Sequence, residues 1–460
     1  MKVVVLNGSP KGELSVSLQY ARYLIKRHPD HTYRTFNVSE AIDEIASAPG
    51  ALATIVSTIE AADLVLWVTP VYCYLVPSQL KRFIELVFAS EAARAAFAGT
   101  YAAVVTTSSH FYDHTAHRYL NAVCDDLQMS YAGGFSAEMF DLLQPGGREK
   151  WDTFARFVLD AAEGREPVAR TFSPIEHHPF VYRPGPPDPA AERLPLSGLR
   201  AVLVTDSTGP PSNQTRMIER FASSFTGGLE VVDLNDVKID GGCLGSVVRC
   251  GLRHECERDD GFVDFYRTRL MTADLLVFVG SIVDRHLSYK WKEFIDRSLF
   301  HGHVPSLSGK QVGWIISGPL RQIPNLRDTI EASVELQMAN LVEIVTDEDA
   351  DSETIDALLS QLARRLLRFA ASRYVKPPTF LGVGGMKVCR HIVERNRSLF
   401  QADYPFYNKK LGYDLPPPDL ASMARNALIP LTRVPAVARF IDRNFKEALV
   451  KPFARILEDR

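Results

Sequence analysis

Lys2–Lys26 reads KVVVLNGSPKGELSVSLQYARYLIK. Lys2–Leu6 is almost wholly apolar and β-branched, which predicts a buried strand, and Asn7-Gly8-Ser9-Pro10 then supplies turn chemistry. From Ser15 the apolar positions recur at helical spacing to Lys26, with Ser15 placed as N-cap. A strand that runs through a Gly/Ser/Pro turn into a helix is the opening unit of an α/β fold. The pattern continues outward. Strands are predicted at Tyr33–Asn37, Leu64–Val68, Tyr101–Thr107 and Ser130–Gly133, with helices at Ala51–Ala61, Pro77–Phe88 and His114–Leu127 between them. Short connections and strand–helix alternation make the strands parallel and put helices on both faces of the sheet. A second series of strands falls near Ala201–Thr205, Glu230–Leu234, Leu275–Val279, Val312–Ser317 and Val342–Thr346. The fold class is therefore α/β, two doubly wound parallel sheets in tandem, each a three-layer α/β/α sandwich.

The two series also match each other. ADLVLWVTPVYCYLVPSQLKRFIEL (Ala62–Leu86) and ADLLVFVGSIVDRHLSYKWKEFIDR (Ala273–Arg297) align without a gap, with Ala-Asp before the strand and Lys-x-Phe-Ile in the helix at identical separation. We read this as an internal duplication. Between Pro174 and Pro195 the chain carries seven prolines, which suits an extended spacer rather than a packed element. A second break comes at Lys376-Pro377-Pro378, after which the pattern is mostly helical. The expected organisation is a first domain over residues 1–165, a Pro-rich linker over 166–198, a second and degenerate copy over 199–375, and a helical C-terminal extension over 376–460.

Composition excludes several function classes. Of 460 residues, 46% are hydrophobic and 23% charged, as in a packed globular protein. Lys and Arg number 52 against 55 Asp and Glu, for a net charge of −3. That balance argues against a nucleic-acid partner, which calls for a basic excess or stripe. No apolar run approaches the ~18 residues of a transmembrane segment, and the start lacks the long apolar stretch of a secretory leader. Six unevenly spaced cysteines make no disulfide framework. Together these predict a cytoplasmic protein with reduced thiols.

The site reading starts from the same first turn. Backbone N–H groups at a helix start, the hydroxyls of Ser9, Ser15 and Ser17, and Lys11 are what a phosphate needs. The turn is neither G-x-G-x-x-G nor G-x-x-x-x-G-K-[ST], so the dinucleotide and triphosphatase fingerprints are both absent. After the third strand come Pro70, Val71, Tyr72, Cys73 and Tyr74. In an open α/β sheet ligands sit at the carboxyl ends of strands one and three, where strand order reverses, so this loop shares an edge with the first. There Pro70 stiffens the loop and Tyr72 and Tyr74 offer ring faces. Thr106, Thr107, Ser108, Ser109 and His110 end the fourth strand on the same edge. A phosphate cradle, a stacking loop and a hydroxyl-rich loop describe a site for a phosphorylated aromatic cofactor.

With these residues in view, the sequence resembles the flavodoxin-like NAD(P)H-dependent FMN reductases and the related iron–sulfur flavoproteins. N-G-S-P-K at the first turn and P-V-Y before a helix carrying L-K-R-F-I are that family's FMN signatures. The resemblance covers the first unit fully and the second more loosely, about residues 1–375. It implies that Ser9, Lys11, Ser15, Val16 and Ser17 hold the FMN phosphate. Pro70, Val71, Tyr72 and Cys73 would line the isoalloxazine, and Thr107, Ser108, Ser109 and His110 its other rim. It further implies NAD(P)H as electron donor, a small acceptor (a quinone, a nitro compound or a free flavin), and frequent homodimers. The chemistry then belongs to the flavin, so no catalytic side chain is expected. A flavodoxin-type electron carrier, or a flavin-free docking protein, is the competing class.

Other constellations carry less. His110, Asp113, His114 and His117 form H-x-x-D-H-x-x-H, but His110 lies in a loop and Asp113 suits an N-cap, so pocket lining is preferred to a metal site. Cys243, Cys250 and Cys256 are a remnant of the compact four-cysteine motif of the iron–sulfur flavoproteins. Ser246 stands where a ligand would be, and a cubane cluster needs four, so no cluster is expected and the loop is read as packing over the site or a domain contact. The second copy's first turn, Asp206 to Thr215, keeps hydroxyls, but Ser281-Ile282-Val283 replaces Pro70-Val71-Tyr72. The tail Arg425–Arg460 predicts an amphipathic helix interrupted at Pro452. Phe380–Lys387, FLGVGGMK, is glycine-rich but follows no strand, so it is weak as a nucleotide loop.

Overall fold

The computed structural model describes the chain apart from residues 178, 186–192, 208–210, 410–419, 428, 433 and 459–460. The middle of the proline run and three residues of the second copy's first turn thus lie outside the described residues. The chain packs as two compact units: Met1–Pro174 with Gly242–Glu257 and Arg390–Arg460, and Ile175–Gly241 with Arg258–Cys389.

The first unit is built on strands β1 (Lys2–Asn7), β2 (Thr32–Phe36), β3 (Leu64–Pro70), β4 (Tyr101–Ser108) and β5 (Ser130–Glu138). All pair in parallel in the order β2-β1-β3-β4-β5. Alternate residues go to opposite faces, as the strand period requires. Val4, Leu6, Val65, Trp67, Ala102 and Val104 meet Leu80 and Phe83 of the helix Ser78–Ala89 and Leu120 of the helix Asp113–Asp126 on one side. Val3, Val5, Leu66, Val68, Ala103 and Val105 meet Leu18 and Leu24 of the helix Val16–Arg27 and Trp151 of the helix Pro145–Glu163 on the other. The C-terminal helix Pro435–Glu458 adds Phe453 to this second core. It runs unbroken through Pro452, contrary to the interruption expected there. With Phe453 buried beside that proline and Lys26 Nζ donating to the Ile456 carbonyl at 2.8 Å, packing holds the last turns in helical form.

The second unit repeats the design with β6 (Ala201–Thr205), β7 (Leu229–Asp233), β8 (Leu275–Ser281), β9 (Gln311–Ser317) and β10 (Asn340–Thr346), again all parallel. Its order β10-β9-β8-β6-β7 is the same arrangement read from the other end. Both sheets therefore have the flavodoxin-like strand order. The repeated contacts extend to single atoms. Asp63 Oδ2 accepts from Lys2 N at 2.8 Å, and Asp274 Oδ2 from Arg200 N at 2.8 Å. Tyr72 N donates to Leu75 O at 2.8 Å, and Val283 N to His286 O at 3.1 Å. Lys81 pairs with Glu85 and Lys292 with Asp296, both lysines fully buried in the helix after the third strand. The glycine-rich Phe380–Lys387 opens the helix Phe380–Arg395. Among the described residues no helix is long and apolar enough to cross a membrane.

A buried ammonium depends on its carboxylate far more than the pair contributes net stability. Glu85→Leu is expected to cost about 3 kcal/mol in urea denaturation, and Lys81→Met/Glu85→Leu to recover most of that loss.

Candidate cofactor site

The parallel order sets β1 between β2 and β3, so the turns leaving β1 and β3 emerge side by side. Gly8 N donates to Val68 O at 2.8 Å, and Thr69 Oγ1 to Gly8 O at 3.3 Å. No side chain fits at position 8: a Cβ there would lie 2.3 Å from Leu80 Cδ2 and 3.1 Å from Thr69 Cβ. The turn is held from within. Asn7 Nδ2 donates to Gly12 O at 2.9 Å, Ser9 N to Asn7 Oδ1 at 3.2 Å and Lys11 N to Ser9 Oγ at 3.2 Å. Ser15 caps the helix, accepting from Leu18 N at 3.4 Å, and its hydroxyl lies 2.7 Å from that of Ser17. Ser9, Ser15 and Ser17 are all buried. Val16 turns its side chain into the core, which leaves its backbone at the helix start. Buried hydroxyls, helix-start N–H groups and an ammonium are the donor set of an anion site.

Lys11 carries the charge. Its ammonium lies 5.9 Å from the centroid of the Phe445 ring, and burial pulls it from the ordinary 10.5 down to about 8. Cys243 and Glu257 work against that shift, while Lys446 adds to it.

The second loop is a tight, strained turn. Tyr72 and Leu75 exchange two backbone bonds of 2.8 and 3.0 Å, and the residues between them, Cys73 and Tyr74, stand at φ 39° and 73°. Such values in non-glycine residues persist only where surroundings enforce them. Here the third loop does so. Pro70 pairs with Thr107 in the sheet, and Val71 N donates to Thr107 O at 3.2 Å. Thr115 Oγ1 bonds to Tyr74 O, and the Tyr74 ring packs at 5.6 Å on Phe111 and 4.9 Å on Tyr112. Thr107 and Ser108 are buried and Ser109 and His110 exposed. All three predicted loops thus meet at one edge, with the Val16 side chain directed away from it.

His110, at φ 57°, is fixed by Ser108 Oγ, which accepts from its N–H at 2.9 Å. Its Nδ1 lies 2.8 Å from Asp113 Oδ2. Tyr112, at φ 52°, takes the N-cap position expected for Asp113, which instead sits in the first turn with Oδ1 accepting from His114 N at 3.0 Å. The competing bond to His110 draws the carboxylate off the cap. His117 Nε2 lies 2.8 Å from Thr106 Oγ1. Among the described residues, no three His, Cys, Asp or Glu groups are disposed to hold a metal ion.

The cysteine-bearing loop, read from sequence as packing over the site or as a domain contact, forms one wall of this site. Gly242–Glu257 packs within the first unit. Gln79 Nε2 donates to Cys243 O at 3.1 Å, and a Cβ on Gly245, at φ 69°, would fall 1.9 Å from Tyr72 Oη and 2.8 Å from Lys11 Cε. Only glycine passes there. The segment is tied down by Ser246 Oγ to Asp442 Oδ1 at 2.9 Å and by His254 Nε2 and Asp403 Oδ1 at 2.8 Å. Burial drives the Cys250 thiol well above its ordinary value, and the neighbouring Cys243 and Cys256 reinforce that. The cysteines marked this loop in the sequence, but nothing local pointed to Gly245, Phe445 or Lys446.

The second unit treats the equivalent place differently. Sheet register sets Asp206 where the first unit has Gly8. Gln214 Nε2 donates to Thr205 Oγ1 at 3.0 Å, Asp206 Oδ1 at 3.1 Å and Val279 O at 3.2 Å. Ser281 Oγ donates to Gln214 Oε1 at 2.7 Å, and Ser288 Oγ to Asp206.

Residues 1–140 match the family model described as NADPH-dependent FMN reductase. An iron–sulfur flavoprotein of Archaeoglobus fulgidus is 23% identical over 227 residues, 46% of this chain and 99% of its own length. Among solved structures, an FMN-dependent NADH-azoreductase from Bacillus anthracis is 16% identical, covering 36% of this chain and 99% of its own, at a TM-score of 0.28. An NAD(P)H:(acceptor) oxidoreductase from Paracoccus denitrificans is 19% identical, covering 35% and 95%, also at 0.28. The family match spans both N-G-S-P-K and P-V-Y and bears out the resemblance they carry. Residues 1–140 thus carry the sequence pattern described as NADPH-dependent FMN reductase.

The Lys11 environment makes a prediction for the ligand-free protein. The folded state gives up this proton near pH 8 and the unfolded chain near 10.5, so between those values the unfolded state binds more protons and stability rises with pH. Lys11→Met is expected to remove that rise, as read from urea midpoints measured from pH 7 to 10.5.

Proposed function

We propose that the first domain holds FMN and that the protein transfers electrons from NAD(P)H to a small acceptor such as a quinone, a nitro compound or a free flavin. The phosphate would rest on the hydroxyls of Ser9, Ser15 and Ser17, the backbone at Val16 and the Lys11 ammonium. The ring would lie against Pro70, Val71, Tyr72 and Cys73, with Thr107, Ser108, Ser109 and His110 along its other rim. The observation that supports this most is the convergence of the three loops, with a buried hydroxyl set at one end and tyrosines held in a strained turn at the other. When bound, FMN supplies hydride acceptance and release. The protein's own contribution is placement: Gly8 lets the backbone approach, the Tyr72–Leu75 turn presents rigid walls, and Gly245 closes the side that Lys11 and Tyr72 share.

The second domain is, in this reading, a copy that has lost the site. Its first turn is filled by a hydrogen-bonded Asp206–Gln214–Ser281–Ser288 network, and a carboxylate there repels a phosphate. A homodimer and a cytoplasmic setting belong to the same proposal.

The purified protein, with FMN added, is expected to absorb near 450 nm and to bleach on anaerobic mixing with NADPH. Ser9→Ala should weaken FMN binding roughly tenfold, the worth of one hydrogen bond to a charged group, and Tyr72→Ala should weaken it by a similar factor. Unchanged FMN affinity in both variants would overturn the placement, and bound flavin that stays oxidised would mark an electron carrier.

A further inference from the structure

His110, placed above on the rim of the ring, forms with Asp113 a hydrogen-bonded pair that lining a pocket does not require. Asp113 Oδ2 is engaged by His110 Nδ1 at 2.8 Å and by the Ser136 hydroxyl, and Oδ1 by His114 N at 3.0 Å. Burial works against ionisation of Asp113, but the bonds from Ser136 and His110 outweigh it and hold the carboxyl below its ordinary value. The carboxylate is thus oriented at both oxygens and turned to one ring nitrogen. The imidazole itself is 54% exposed, three residues past Thr107, the residue that binds the Pro70–Val71 loop. A left-handed backbone at both His110 and Tyr112, stiffened by the Tyr74–Phe111–Tyr112 ring cluster, keeps it at this edge. A solvent-reachable imidazole with one nitrogen fixed by a half-buried carboxylate is the arrangement of a general acid.

We infer that His110 is the proton donor to the reduced acceptor, with Asp113 as its positioning residue and a quinone-type carbonyl compound as the acceptor class. The inference rests on the reading given under Proposed function. A quinone that receives a hydride, supplied by NAD(P)H through the bound flavin, is left with one oxygen as a phenolate. The Nε2–H bond of His110 breaks, an O–H bond forms on that oxygen, and the neutral imidazole regains its proton from solvent. Asp113, bonded at Nδ1, stabilises the cationic ring before transfer. The hydride brings both electrons and the first hydrogen and His110 brings the second, which water then replaces on the ring, so the step balances to a hydroquinone.

The test compares two acceptors on the same reduced protein: a benzoquinone, which needs the proton, and ferricyanide, which takes one electron and none. In His110→Gln the ratio of quinone rate to ferricyanide rate is expected to fall about 100-fold, and the solvent deuterium isotope effect on quinone reduction to disappear. Asp113→Asn should lower the ratio less. In the flavin-free protein, that variant should also abolish the hydrogen-bonded Nδ1–H proton resonance of His110. An unchanged ratio in His110→Gln, or a His110 Nδ1–H signal indifferent to Asp113→Asn, would overturn the inference and leave the flavin reading standing. Failure of the unsubstituted protein to reduce bound FMN with NADPH would instead overturn that reading.

Discussion

Everything at the candidate site depends on how closely two backbones approach where β1 and β3 end. The Gly8 amide is bonded to Val68, and Leu80 and Thr69 occupy the space a side chain at position 8 would take. That contact is possible because strand order reverses at β1, leaving two adjacent parallel strands whose following turns diverge to opposite faces. The turn that leaves β1 at this contact presents main-chain N–H groups, the hydroxyls of Ser9, Ser15 and Ser17, and Lys11. An anion is the natural guest of such a place, and the helix start at Ser15 adds to its attraction.

The second domain shows what happens when that contact is rebuilt. Sheet register and the ungapped helix alignment pair Gly8, Thr69 and Leu80 with Asp206, Gly280 and Trp291. The three changes compensate one another. Removing the threonine side chain at Gly280 makes space that the Trp291 indole enters, since a Cβ on Gly280 would lie 2.7 Å from Trp291 Nε1. That indole donates to Val279 O at 3.2 Å. The freed position then accepts a carboxylate, which Gln214 and Ser288 satisfy. Burial raises the Asp206 carboxyl above its ordinary value, so the group is costly and persists only within this network. The surrounding fold is unaffected: the buried Lys–carboxylate pair, the Asp at the strand start and the four-residue turn all survive in both copies. Packing and binding are specified by separate residues.

That separation explains what could be read from the chain and what could not. The fold was legible because parallel strands are continuous apolar runs and their helices carry a clear apolar stripe, so Lys2–Leu6 or Leu64–Val68 announce themselves. The three loops were legible because strand order assigns them to one edge once the alternation is recognised. Pro452 misled because a proline's local cost was weighed without the burial of Phe453 that opposes it. Asp113 misled in a similar way: N-cap preference is a local average, and a ring nitrogen at 2.8 Å outbids it.

The wall formed by Gly242–Glu257 is the clearest case of a long-range contribution. Gly245 sits more than 170 residues from Tyr72 in sequence, roughly a whole domain away, and no periodicity links them. Yet its positive φ and its contact with both Tyr72 Oη and Lys11 make it as constrained as Gly8. The consequence for Lys11 follows directly. A lysine at an open helix start would be solvated and would keep its ordinary proton affinity. Enclosed by this segment and by Phe445, it loses water while no carboxylate among the described residues forms an ion pair with it, and its affinity drops. In the proposed reading, an ammonium left in that condition recovers the lost solvation from an incoming anion.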